Sequence, residues 1–395
     1  MESSALAKPG TTCETPAITP ARRNVAVAYF LVFLGSGVYL PYFSLHLAHL
    51  GFPGWQIGVV TGLQPAFRWV AAIVWAYVAD RFRIRHRVLA LTSLGGAFFF
   101  LPLLSATEFP TVLLVMSCIA LLHGSMIPML DATVMDHLSD LGGDYGRLRL
   151  WGSVSFVLGA VGSAPLVHAF SPRVVPLLML VPALLIPAAL WRLPRAQLGH
   201  VAHFQPPWRL LTPPLALFLA TAFLLNMSCG AWQGFFALHT AALGLSDAVP
   251  GIAWGVAVIA EIALFFWARQ VLERISPTSL ILVVLVVTVV RWLLTAVARS
   301  DVLVVAVQMG HTLTFSAFHI AALLLLSRLV RVESSTSGQA LYGLVAMGIG
   351  GSAGMSMAGA LVDRMGTAGV FRVEAGVACL GLVPAALLWR RTRRR

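Results

Sequence analysis

Twelve apolar stretches, each long enough to cross a bilayer, follow one another along this chain of 395 residues, and that repetition excludes a soluble fold. An apolar run of about twenty residues must satisfy its own backbone hydrogen bonds in lipid, so each stretch is predicted as a helix. The spans are expected to begin near residues 25, 55, 88, 109, 147, 174, 213, 249, 278, 302, 336 and 369. Composition agrees, because 58% hydrophobic with only 11% charged residues cannot be wrapped into a soluble globule. The fold class is therefore all-α: a polytopic membrane protein of twelve transmembrane helices in two pseudo-symmetric six-helix halves.

The basic residues say which way the chain is threaded. On alternate connections stand Lys8, Arg22 and Arg23, then Arg81, Arg83, Arg85 and Arg87, then Arg147 and Arg149, then Arg192, Arg195 and Arg209. Arg269 and Arg274, Arg328 and Arg331, and the final cluster from Arg390 to Arg395 continue the series, which takes 21 of the 27 Lys and Arg residues. Only Arg173, Arg299, Arg364 and Arg372 fall on the other side, and Arg68 and Arg291 lie inside apolar stretches. The positive-inside rule then puts both termini in the cytoplasm, for a multi-pass protein expected in a bacterial cytoplasmic membrane. The net charge of +12 needs no nucleic-acid partner, since arginines at a cytoplasmic face attract anionic headgroups and fix topology. Cys13, Cys118, Cys229 and Cys379 stand singly, without the spacing of a zinc site or a disulfide framework.

Four regions are expected: a disordered cytoplasmic tail (1–22), an N-terminal half (23–192), a cytoplasmic linker with three prolines (193–211) and a C-terminal half with a basic tail (212–395). The halves share a faint repeat. Trp151-Gly152 and Tyr342-Gly343 are each followed seven residues later by another glycine, Gly159 or Gly350. Small residues at such spacing let helices approach closely, and two homologous halves imply alternating access around a midplane site.

With this organisation the chain resembles the major facilitator superfamily over nearly its whole length. The superfamily's loop between helices 2 and 3, Gly-x-x-x-Asp-Arg-x-Gly-Arg-Arg, is matched by AYVADRFRIR from Ala76 to Arg85. Asp80, Arg81 and Arg85 correspond, while Ala76 and Arg83 stand at the glycine positions. The resemblance implies that these residues form a conformational latch. RQVLERIS from Arg269 is a weaker echo, and GALVDRMG, from Gly359 to Gly366, falls on the outer side and is not assigned that role. Two further passages resemble the phenylpropionate permease branch, a relative of the lactose permease type. They are DATVMDHLSDLGGDYGRLRLWGSVSF from Asp131, and Arg291-Trp292 followed by QMGHTLTFSAFH from Gln308, together with Glu261 of WGVAVIAEI.

The charges within the spans are the candidate site. Asp131 and Arg149 lie about ten and eight residues from the turn joining their helices, so both rise roughly 12–15 Å and can meet near the midplane. Arg291 and His311 are matched in depth in the same way, roughly 14–16 Å from their turn, and Arg68 and Glu261 are near helix centres. A central charge costs roughly 2.5–3.5 kcal/mol, so these residues are expected to pair or to face a wet cavity. Asp131, Arg149, Trp151, Glu261 and Arg68 are the expected substrate-binding residues, and His311, Glu261, Arg291 and His319 the expected proton-coupling residues. His311 and His319 should stand about 80° apart around one helix. His123 reads as a structural histidine. Arg68, Arg149 and Arg291 against Asp131 and Glu261 leave one surplus positive charge, which favours an anionic solute, with Trp151, Trp232 and Trp292 available as aromatic surfaces.

The resemblance fails at one informative place. In the lactose permease type the residue three after this histidine is a carboxylate used in proton translocation; here it is Thr314, and Gln308 replaces a lysine-like position. The proton must then use Glu261, Asp131 or His311. The expected function is secondary transport of a small organic solute, leading to an aromatic monocarboxylate moved with a proton. A sugar or nucleoside symporter, an exporter, a passive facilitator or a non-transporting receptor on the same fold remain alternatives. No enzymatic activity, cofactor or metal is expected, no GxxxxGK[ST] loop is visible, and the unit is expected to work as a monomer with solute, protons and lipid as its partners. Reporter fusions after Arg209 and at Arg395 should both give the cytoplasmic signal; an external signal at either overturns the helix count.

Overall fold

Helix starts are written into the sequence as hydroxyl-proline pairs. Thr19, Thr212 and Ser276 each accept a hydrogen bond from a backbone N–H one turn ahead, and each is followed by a proline in the first turn. Proline fits there because its missing N–H would have had no helical partner, and the hydroxyl caps one that does need one. The computed structural model describes residues 19–141, 143–193 and 207–393, with the side chains of 207–208 and 265–274 excepted. The expected tail (1–18) and most of the expected linker (194–206) lie outside the described residues, and so do the side chains of the echo at Arg269.

The first half contains α1 (Pro20–His49), α2 (Gly54–Arg81), α3 (Arg85–Leu103), α4 (Phe109–Asp136), α5 (Tyr145–Phe170) and α6 (Pro172–Trp191). The second contains α7, in pieces Pro213–Met227, Gly230–Gly234 and Phe236–Ala242, then α8 (Val249–Arg274), α9 (Pro277–Val297) and α10 (Asp301–Leu329). The last two spans, α11 and α12, are the limbs of Val332–Arg393 on either side of Gly366. Eleven of the twelve starts fall near their expected positions. The exception is α1, which begins at Pro20 rather than near residue 25, because Thr19 caps a turn that carries Arg22 and Arg23 beyond the apolar run.

The internal repeat is structural. A Cβ on Gly159 would lie 2.5 Å from the carbonyl oxygen of Leu34, and one on Gly350 would lie 2.9 Å from that of Phe223. The repeated glycine thus seats α5 on α1 in one half and α11 on α7 in the other. The turns repeat as well: Ser171 before α6 (φ 65°, ψ 168°) and Gly366 before α12 (φ 68°, ψ 168°) share one backbone conformation, although only glycine adopts it without strain.

The cores show how the halves meet. One cluster draws on both, with Tyr42, Phe43, Ile57 and Phe156 against Trp232, Phe236, Trp254 and Phe371. Toward the end that carries residues 20 and 393 there are instead two separate cores, one built around Tyr29, Leu89 and Leu148, the other around Phe218, Leu285 and Phe318. The halves are therefore joined at the far end and parted at the termini end.

Far-end closure depends on missing side chains. A Cβ on Gly58 of α2 would lie 2.8 Å from Cα of Gly359 of α11, and Gly251 of α8 meets the backbone of Ala160 of α5 as closely. Polar contacts seal the same end: Gly54 N–H donates to Asp363 Oδ1 (3.1 Å) and His168 Nδ1 pairs with Asp247 Oδ2 (2.8 Å). Replacing Gly58 with Leu should force α2 off α11 at a cost of about 1–3 kcal/mol, shifting the population toward far-end opening by roughly tenfold or more. Spin labels at His49 and Ala242 would read this as a longer distance; an unchanged distance distribution refutes the role given to this contact.

Candidate substrate cavity and buried charge network

Three interruptions gather at mid-depth. In the first half α4 breaks at Gly124–Ser125, and in the corresponding helix α10 the pitch widens to a π segment at Thr312–Ala317. A second π segment, Gly343–Gly350, lies in α11. Irregular turns in corresponding helices of two repeats mark the binding region of many carriers, because freed backbone is tolerated only where it is buried or wet. The two π segments border a cavity of about 230 Å³ at the apex of the gap between the halves through Phe315 and Met347, while the α4 break at Gly124 packs against the backbone of Arg68.

Arg68 and Gln64, one turn apart on α2, line this cavity from the first half. The guanidinium of Arg68 lies 5.6 Å from the ring centre of Tyr39, and its Nε has no hydrogen-bond partner. No Asp or Glu is among the lining residues. The next residue, Trp69, packs its ring against Gly343 and Gly348, so the π segment of α11 is shaped to receive it. Asn226 and Gln233 of α7 line the cavity from the second half, and Tyr39, Phe43, Trp69 and Phe315 give it aromatic walls.

Beneath this cavity the second half holds a dense polar cluster. Arg291 on α9 is buried, donates from Nε and Nη2 to Gln308 Oε1 (3.1 and 2.8 Å), and donates from Nη1 to Thr314 Oγ1 (2.8 Å). The same Nη1 is 3.2 Å from His311 Nδ1, and His311 Nε2 is 3.0 Å from Glu261 Oε1. A guanidinium only donates, so Nδ1 must accept, the hydrogen sits on Nε2, and a neutral imidazole bridges Arg291 to Glu261. Trp232 and Trp292 complete the enclosure, their ring centres 4.8 and 4.3 Å from the guanidinium carbon. Cation–π contact and water exclusion make this a site where every lost partner is felt.

Along α10 the rings of His311, Phe315 and His319 form a ladder, 5.3 and 6.4 Å between centres and within 9° and 8° of parallel. The ladder runs through the π segment Thr312–Ala317, where bonding from i to i+5 widens the turn. His311, His319 and Thr314 line a chamber of about 20 Å³ that shares Asn226, Gln233, Phe315 and Met347 with the larger cavity. That is room for a single water.

The first-half group is arranged differently from its expectation. Asp131 accepts a hydrogen bond from Tyr29 Oη, with Tyr145 as a second donor, and the Arg149 guanidinium stacks on the rings of Phe33 (4.0 Å) and Tyr29 (5.5 Å). Arg149 and Asp131 thus share Tyr29 as a go-between and form no direct ion pair, because the aromatic face of α1 stands between α4 and α5. Neither lines the 230 Å³ cavity. Trp151 is 50% exposed and lines no described cavity, since Gly152 turns its own side of α5 toward α1 and leaves Trp151 outside. Glu261 likewise faces His311 rather than the cavity. His123 packs across Gly96 with Nε2 3.3 Å from the carbonyl oxygen of Ser93, and together with Arg68 it lines a second cavity of about 70 Å³.

At the termini end Arg85 bridges Asp80 (3.2 Å) and Asp136 of α4 (2.6 Å), all within one half. Arg81 lies over Phe82 and has no ion pair among the described residues. Arg83, at the superfamily's glycine position, has φ 55°, the left-handed conformation that favours glycine. In this state the motif is a clasp within the first half.

One buried acid was missed. Glu374 of α12 is 0% exposed, accepts from Ala231 N–H at the break in α7, and faces Arg291. Tertiary packing of α12 against the α7 break buries it. It also corrects the charge sum, since the three arginines within the spans, Arg68, Arg149 and Arg291, are now matched in number by Asp131, Glu261 and Glu374, so the expected surplus vanishes overall. Gln64, Asn226, Gln233 and Tyr29 were missed as well, being neutral residues with no sequence signal to separate them from packing.

A bundle of twelve membrane-spanning helices in two repeats, closed at one end around a polar mid-depth cavity, is the architecture of a membrane transporter, not of an enzyme. Residues 23–373 match the model of the MFS_1 like family, and the chain belongs to that family of major facilitator transporters. Over 376 residues it is 31% identical to the probable 3-phenylpropionic acid transporter of Escherichia coli (strain K12), covering 91% of this chain and 96% of that protein. It is 25% identical to the maltose permease of Geobacillus stearothermophilus, over 94% and 96% of the two chains. The crystal structure of the nucleoside transporter NupG superimposes with a TM-score of 0.81 over 94% of this chain and 99% of that one, at 17% identity, a likeness of fold.

Removing Arg291 leaves Glu374 and Glu261 buried without their cation, a loss of the kind that costs about 3–5 kcal/mol. Arg291→Leu should therefore lower the unfolding temperature in detergent strongly, and adding Glu374→Gln should restore part of it. Strictly additive losses in the double variant count against the coupling.

Proposed function

We propose that the protein is a proton-coupled carrier of a small aromatic monocarboxylate, working by alternating access, with both termini and the 193–211 linker on the cytoplasmic side of a bacterial membrane. The state described is then open to the cytoplasm and closed outside. The observation that carries the substrate class is Arg68: a cation in the wall of the cavity, held by an aromatic ring, with no acid beside it. A desolvated cation without a counter-ion favours an anionic ligand. The 230 Å³ of space is below the ~300–1,000 Å³ of drug-sized pockets, and Phe43, Trp69 and Phe315 are suited to a single ring. The 31% identity to a probable 3-phenylpropionic acid transporter supports the same class. A neutral sugar would engage the amides of Gln64, Asn226 and Gln233 but would leave Arg68 uncompensated.

The His311 bridge suggests how a proton enters the account. A proton taken up by Glu261 ends the charge-assisted bond from His311 Nε2–H, leaves Arg291 less compensated, and makes the neighbouring cavity more favourable to an anion. One proton and one monocarboxylate would then move together, with His319 and the single-water chamber linking the relay to the cavity. Asp131 and Arg149 support this reading as a conformational pair through Tyr29 rather than as direct substrate ligands.

In proteoliposomes, Arg68→Gln should weaken binding of 3-phenylpropionate by roughly tenfold or more, the scale of a lost charged hydrogen bond. His311→Gln and Glu261→Gln should keep substrate exchange and lose accumulation driven by a pH gradient. Normal accumulation in both would place the proton elsewhere or make the carrier a uniporter; competition by sugars but not carboxylates would sink the substrate class.

A further inference from the structure

At the termini end of the second half lies a cavity of about 660 Å³ that shares no lining residue with the mid-depth cavity. Four helix ends enclose it: the starts of α7 and α9 and the ends of α10 and α12. Two N-termini against two C-termini leave little net dipole, so side chains set the sign of the site. Arg328 of α10 and Arg391 and Arg393 of α12 line it, and among the described residues no Asp or Glu does. Arg328 and Arg391 are exposed and have no hydrogen-bond or ion-pair partner among the described residues. Arg393 lies over the ring of Trp389, 4.4 Å from its centre.

Hydroxyls fasten the walls. Trp389 Nε1 donates to Ser279 Oγ (3.0 Å), Ser276 Oγ donates to the same oxygen (2.8 Å), and Thr392 Oγ1 donates to Thr278 Oγ1 (3.4 Å). The end of α12 is thereby tied to the start of α9, which keeps Arg391 and Arg393 at the cavity. Both helices also present apolar faces to the outside. α9 exposes Val283, Val286, Val290 and Val297, and α12 exposes Leu380, Val383 and Leu387, at the three- and four-residue steps of a single helix face. Val297 stands at the far end, where the gap between the halves is closed, so the α9 stripe faces lipid. Trp389 agrees with this placement, since tryptophan collects at the level of lipid headgroups. A ligand suited to the site therefore combines an anion for the arginines with apolar chains for the adjoining helix faces. Phosphate is the matching anion, because a guanidinium meets it with two parallel N–H donors and stays charged at any physiological pH.

We propose that this cavity seats the phosphate headgroup of an anionic phospholipid whose acyl chains run along the exposed faces of α9 and α12, and that Arg328 and Arg391 hold the phosphate. The site is independent of the solute that the protein moves. A free phosphate shares the headgroup chemistry but would leave the apolar stripes unused. Affinities for phosphatidylglycerol and phosphatidylcholine should be compared by native mass spectrometry of the purified, delipidated protein. Phosphatidylglycerol should bind roughly tenfold or more tightly than phosphatidylcholine, and Arg328→Gln with Arg391→Gln should remove most of that preference. Arg87→Gln with Arg192→Gln takes away the same charge from two exposed arginines at the same end of the first half, and should change the preference by less than about twofold. Because the two lipids are first compared on the unaltered protein, that result stands even if a variant folds poorly. Equal affinity for the two lipids overturns the proposal. An equal loss in both double variants overturns it too, in favour of general attraction to a basic face. Displacement of phosphatidylglycerol by glycerol phosphate at comparable concentration overturns the lipid assignment, since the headgroup alone would then suffice.

Discussion

Backbone-to-backbone contact between the halves at the far end governs the rest of the molecule. Gly58 and Gly359 let α2 and α11 touch without side chains between them, and Gly251 does the same for α8 against α5. Where helices meet this closely, dispersion and complementarity hold them, since lipid supplies no hydrophobic drive between helices. The shared core grows from this end, and its absence at the other leaves two separate cores with a gap between them. Cavity, chamber and charge network all lie where the joined region gives way to the parted one. A ligand there touches both halves at once, which is the condition for its binding to bias their relative position.

The two halves divide the chemistry unequally. Arg68, the cavity cation, belongs to the first half, lies beside the ring of Tyr39, and keeps its Nε without a hydrogen-bond partner among the described residues. Arg291, in the second half, spends its donors on Gln308, Thr314 and His311 and is enclosed by tryptophans. The first is arranged to bind and the second to hold a buried charge in place. His311 joins the second cation to Glu261 through a tautomer fixed by geometry, so a proton added to Glu261 or to the imidazole would disturb the whole line. The substitution of Thr314 for a carboxylate thus has a structural meaning: it accepts from Arg291 and donates to the carbonyl oxygen of His311, closing the cluster without adding charge.

Sequence by itself determined the architecture, because the constraint is one-dimensional. Lipid demands about twenty apolar residues per span with internal hydrogen bonds, and Thr-Pro or Ser-Pro pairs mark three of the starts, so the helices were legible to within a few residues. The repeat of Gly159 and Gly350 was legible too, and so was the identity of most buried charges, since an ionisable residue in an apolar run stands out. Which charges meet could not be read, because that depends on rotation of one helix against another. Depth arithmetic put Asp131 level with Arg149, yet Tyr29 from α1 stands between them. Periodicity put His311 and His319 on neighbouring faces of one helix, but their stacking through the ring of Phe315 was not legible. Trp151 was assigned to the cavity by its sequence neighbours and lies outside it. Glu374 was buried only by the packing of α12 on the break in α7, and Gln64 and Asn226 became site residues only when α11 placed them on either side of one space. Burial in lipid is encoded residue by residue, whereas the convergence of polar groups from different helices exists only in the assembled bundle.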